Sequence, residues 1–127
     1  MENDTGKVVL AQETYGLPAG SYFLIESYCI DKKCDCRKVM INVLAYGDMP
    51  NVSDTIGFGW EGIEFYRKWM GGDPQGCKLA GIFMEPGSAR TNRSEQYFEL
   101  VSNALRNPNY VNLIKKHYQS FKGILKS

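Results

Sequence analysis

The chain predicts an α+β domain: a mostly antiparallel sheet covered on one face by helices. Three observations carry this. The first two-thirds holds short apolar segments of strand character, separated by Gly, Pro and Asn clusters. The last third switches to helical periodicity. No repeat, low-complexity tract or linker divides the 127 residues, so the whole of 1–127 is expected to form one domain.

Residues 1–6 are polar and expected to be a flexible N-terminus. Val8-Val9-Leu10 then starts a short edge strand. Leu17-Pro18-Ala19-Gly20 has Pro second and Gly fourth, the pattern of a β-turn. Ser21 to Cys29 follows as a strand with apolar residues on both faces, which predicts a central position. Ile30 to Arg37 is too polar for anything but a connector. Lys38 to Tyr46 is the next strand, alternating Val39, Ile41 and Val43 with Met40, Asn42 and Leu44. The connector therefore closes a β-hairpin and forms a turn rich in cysteine.

After the loop around Gly47–Asn51, Thr55 to Trp60 predicts a third strand, weak or bulged because of its glycines. Gly62 to Met70 predicts a short helix with a wide apolar face, stopped by Gly71-Gly72-Asp73-Pro74. Lys78 to Met84 predicts another strand, and Glu85-Pro86-Gly87-Ser88 a loop. Ser94 to Leu105 places Tyr97, Phe98, Val101, Ala104 and Leu105 along one helical face. Asn107-Pro108 restarts the chain as an N-cap with Pro at the first helical position. The last helix carries Tyr110, Ile114, His117, Tyr118 and Phe121 on one side.

Composition narrows the function classes. At 43% hydrophobic and 23% charged the chain is globular rather than disordered. A net charge of +1 supplies no field that would argue for nucleic acid or an anionic membrane as partner. The N-terminus lacks the pattern of a secretion signal, and the apolar runs are far too short to span a bilayer. The expected location is therefore cytoplasmic. The matches to the glycosylation tripeptide at Asn3, Asn51 and Asn92 read as chance.

In a reducing compartment four cysteines serve as ligands or reactive thiols more often than as disulfides. Cys29, Cys34 and Cys36 form C-x4-C-x-C across the hairpin turn, and Cys77 lies 41 residues beyond Cys36. Zinc favours four thiolate or imidazole ligands in a tetrahedron, and a turn bearing three cysteines completed by one distant residue builds such a site. The expected ligands are Cys29, Cys34, Cys36 and Cys77, with His117, the one histidine, as substitute fourth. Lys32, Lys33, Arg37, Lys38 and Lys78 flank the cysteines. They would offset the charge of a thiolate centre, and equally would activate a free Cys34 or Cys36. The bland alternative is that Cys29 and Cys77 are small buried apolar residues.

Other candidates are weaker. Gly57-Phe58-Gly59-Trp60-Glu61-Gly62 matches G-x-G-x-x-G, with Glu85 placed 23 residues after Gly62. The preceding strand is polar, the helix short, and the chain lacks room for a doubly wound sheet, so a strand and turn is the better reading. His117 reads as a hydrogen-bonded core or boundary residue. Arg90, Arg93, Arg106, Lys115, Lys116, Lys122 and Lys126 make the C-terminal part basic, most simply as a solvated helix face. Glu26, a carboxylate inside an apolar strand, needs a partner or a rim position.

Tyr22 to Cys29, then Cys34-Asp35-Cys36-Arg37, and His117-Tyr118 with Phe121 are similar to a group of small prokaryotic proteins of unassigned function. The resemblance spans residues 20–122. It implies that the Cys29–Cys36 turn is a family feature and brings no activity. The sequence thus points first to a zinc-stabilised binding or interaction domain with a protein or small-molecule partner. A thiol-based redox protein or cysteine-dependent enzyme is the alternative, and a nucleic-acid accessory protein the second. An aromatic content of 13% leaves apolar surface for a homodimer without arguing for one.

Overall fold

The computed structural model describes residues 6–84 and 93–126. Five strands form one antiparallel meander in chain order: β1 (Lys7–Leu10), β2 (Gly20–Ser27), β3 (Lys38–Ala45), β4 (Asp54–Gly59) and β5 (Gly81–Met84). Helix α1 (Ile63–Trp69) and a 3-10 helix (Pro74–Leu79) lie between β4 and β5. Helices α2 (Ser94–Ala104) and α3 (Pro108–Lys126) follow β5 in the chain. The expected α+β architecture is observed, with the cysteine turn joining β2 to β3.

The alternation read from β3 decides which face is covered. Val39, Ile41 and Val43 are fully buried, and they join Val8, Leu24 and Ile56 in the core beneath Tyr97, Leu100, Val101, Tyr110 and Ile114 of α2 and α3. Register carries this face across the sheet, with Glu26 opposite Ile41 and Ile41 opposite Ile56. Glu26 therefore sits in a row of core residues. The opposite face carries the row Ser27, Met40, Gly57 and Phe83. Beside it Asn42 bonds Ser27 Oγ, Ile25 O and Thr55 Oγ1.

Three local expectations are corrected. The tight turn before β2 is Thr14–Leu17, where Thr14 and Leu17 exchange both backbone hydrogen bonds and Tyr15 and Gly16 take positive φ. It is not Leu17–Gly20. The glycines of β4 do not weaken it: a Cβ on Gly57 would meet the Phe83 ring at 2.3 Å, and one on Gly59 the Leu79 carbonyl oxygen at 2.2 Å. They admit close cover on the second face. That cover, α1 and the 3-10 helix, lies at the Gly59 and Lys38 corner, so helices touch both faces. Finally, Cys77 lies inside the 3-10 helix. Asp73 accepts from Gln75 N and Pro74 follows it, a helix start that displaces the expected strand to Gly81. Arg90 and the 85–88 loop, with Glu85, fall outside the described residues.

Candidate metal centre

Residues 28–37 form the irregular loop between β2 and β3, held between α3 on the core side of the sheet and α1 on the other. Two side chains one helical turn apart on α3 grip its two arms. Lys122 is 6% exposed and donates through Nζ to the carbonyls of Cys29 (2.8 Å) and Asp31 (2.9 Å). Tyr118 donates to Asp35 Oδ1 (2.8 Å) and accepts from the backbone N–H of Arg37 (3.1 Å). From α1, Tyr66 donates to the Arg37 carbonyl at 2.6 Å. Spacing i, i+4 puts Tyr118 and Lys122 on the same stripe of the helix. Inside the loop, the N–H of Cys34 donates back to the carbonyl of Asp31 at 3.0 Å.

This scaffold brings three of the four cysteines together. The sulfurs of Cys29, Cys34 and Cys36 all lie within 4.8 Å of one another. Cys36 is buried and the other two partly so. Sulfurs on a tetrahedral zinc stand about 3.8 Å apart, so an ion at the centre would draw these in by about an ångström or less. Cys77 does not join the cluster. Nor does His117, whose Nδ1 lies 2.8 Å from Glu26 Oε1 with the ring about half exposed. Tyr28 also donates to Glu26, and to the Ile114 carbonyl at 3.2 Å. The carboxylate that the sequence singled out thus has its partners, and they tie β2 to α3.

The electrostatics separate the thiols. The backbone N–H of Asp31 stabilises the Cys29 thiolate and, with the Cys34 hydrogen bond and the Lys122 charge, outweighs burial to lower its pKa. Burial and the neighbouring Cys36 and Cys29 push Cys34 up to about 11. Arg37 is committed elsewhere, its guanidinium bonded to Asp35 (2.9 and 3.0 Å) and Glu61 (3.3 Å) and lying 4.7 Å from the centre of the Phe65 ring. The Arg37 hydrogen bonds hold the Asp35 carboxyl below the usual carboxylate range.

Two concavities meet at Cys34. One, of about 230 Å³, is mostly apolar and lined by all three cysteines, with Tyr28, Met40 and Trp69 also in its wall. The other is a polar cleft of about 580 Å³ between the loop and α3, where Lys115 and Lys126 face Asp35, Glu61 and Trp60.

The remaining candidates resolve simply. Gly57 and Gly59 belong to β4, Gly62 precedes a helix of seven residues, and β5 runs antiparallel to β4, so the parallel crossover of a dinucleotide site is not formed. Lys122, expected on a solvated face, is buried and serves the loop. Its role and that of Tyr118 escaped the sequence reading. Their i, i+4 spacing on the apolar stripe of α3 was the available signal, but only the folded loop supplies its carbonyls. Among the described residues no helix is long and apolar enough to cross a membrane. No family model, curated protein or solved structure matches this chain.

Proposed function

We propose that the chain is a zinc-stabilised binding module whose metal centre is built by Cys29, Cys34 and Cys36. The observation that carries this is the three sulfurs gathered in one loop that α3 already holds in shape. A preformed loop lowers the ordering cost of ligation, and the metal in turn stabilises the fold. The fourth position falls to a donor outside the cluster: Cys77, after movement of its short helix, or a small molecule or partner side chain. Elemental analysis of purified protein, with thiols counted before and after chelation, should find about one zinc per chain. Three or four thiols should be masked until the metal is removed. Cys34→Ser should lose the zinc and lower the melting temperature. Metal-free protein with freely reacting thiols would refute the reading.

One observation favours thiol chemistry as a second reading: the stabilised Cys29 thiolate beside Cys34. In that case metal-free protein would show one fast-alkylating thiol near neutral pH, at Cys29. Uniformly slow alkylation removes this alternative.

A further inference from the structure

Resting on the three-thiolate centre just proposed, we infer that the same site also binds a soft monovalent ion, Cu(I), with Met40 as its fourth, weaker ligand. Among the described residues, no fourth Cys, His, Asp or Glu joins Cys29, Cys34 and Cys36. Zinc fills a structural site with four strong donors. Cu(I) accepts three thiolates readily, and thioether sulfur is among the donors that select it. Met40 lines the same apolar pocket as all three cysteines, beside Trp69 and Tyr28. Met40 stands on β3, an interior strand paired on both sides, so its position is set by the sheet rather than by the loop.

Charge fits the same ion. Three thiolates around Cu(I) leave −2, against −1 around zinc, and two ammonium groups lie close by. Lys122 bonds the Cys29 carbonyl, and Lys38, also in the pocket wall, lies 4.9 Å from the centre of the Trp69 ring. A mostly apolar wall offers a water at the fourth position few hydrogen-bond partners with which to compete with a weak thioether.

The test uses the full-length, reduced, metal-free protein under anaerobic conditions. It is titrated with Cu(I) against a competing Cu(I) chelator and in parallel with Zn(II), as wild type and as Met40→Leu. That substitution conserves volume, and a circular dichroism spectrum confirms its fold. Expected are one Cu(I) per chain, an X-ray absorption shell of three short sulfurs plus one longer one, and loss of the long one in Met40→Leu. The variant should bind Cu(I) about tenfold more weakly, with Zn(II) affinity unchanged. A two-sulfur shell, several Cu(I) per chain, or equal Cu(I) affinity in the variant overturns the inference while zinc binding leaves the metal centre standing. Binding of neither metal overturns both.

Discussion

Tyr110 is fully buried on α3, and its hydroxyl has no hydrogen-bond partner among the described residues. A buried hydroxyl without a partner loses its hydration without recompense, so Tyr110→Phe should be neutral or raise stability by up to about 1 kcal/mol. Urea denaturation measures this, and a loss above that size would reveal a partner. Lys122 is the opposite case: its ammonium is buried and bonded to two carbonyls. Lys122→Met should cost about 3 kcal/mol, because it leaves the carbonyl of Cys29 bare and removes one of the two donors to that of Asp31. Tyr118→Phe, which removes one donor and one acceptor, should cost about 1–2 kcal/mol. Losses within experimental error for both variants would show that α3 does not hold the loop.

At the scale of elements, the packing of the 3-10 helix on β4 depends on the missing side chain of Gly59. Its Cβ would stand 2.2 Å from the Leu79 carbonyl oxygen and 2.6 Å from the Tyr66 hydroxyl. The first is backbone and cannot turn aside, so Gly59→Ala should destabilise by about 3 kcal/mol. Gly123 on α3 has open space at its Cβ position and an ordinary helical backbone, so Gly123→Ala should stabilise by about 0.5–1 kcal/mol. Thermal melts of the two variants should move in opposite directions. A tolerated Gly59→Ala would mean that the 3-10 helix is only loosely docked. The same docking sets the α1 side of the cysteine loop through Tyr66 and Trp69, so Gly59→Ala should also weaken metal binding.

Across the whole molecule, burial raises the pKa of Tyr22, Tyr28, Tyr66, Tyr110 and Tyr118, with Tyr66 pushed up to about 12. A tyrosine in the unfolded chain ionises near pH 10. A folded pKa above that value means the native state holds the proton more tightly. The associated stability is thus complete below about pH 10 and is lost as pH rises toward 12 and beyond. Alkaline unfolding should therefore begin above about pH 10, with a steep rise in tyrosinate absorbance that coincides with loss of ellipticity. Smooth ionisation of every tyrosine near pH 10 with the fold intact would contradict this burial.

The strands β2 and β3, the hairpin that bears the cysteines, α1, α2 and the Pro108 start of α3 were all legible in the sequence. Apolar spacing, Gly and Pro punctuation and helix-start residues act over a few positions, and local sterics enforce them. The turn at Thr14–Leu17 and the role of the β4 glycines were not legible. A tyrosine at positive φ breaks the usual turn signal, and a glycine's purpose depends on what approaches it. At the site, C-x4-C-x-C announced three thiols in one loop, and chain geometry over eight residues nearly ensures that they meet. Cys77 shows the limit, because its distance from the cluster depends on how the Pro74–Leu79 helix docks. The support of Lys122, Tyr118 and Met40 is likewise tertiary. Those residues meet the loop only after α3 folds across one face of the sheet and β3 presents the other. Local sequence therefore determined the elements and the thiol cluster, while long-range packing alone decided what surrounds it.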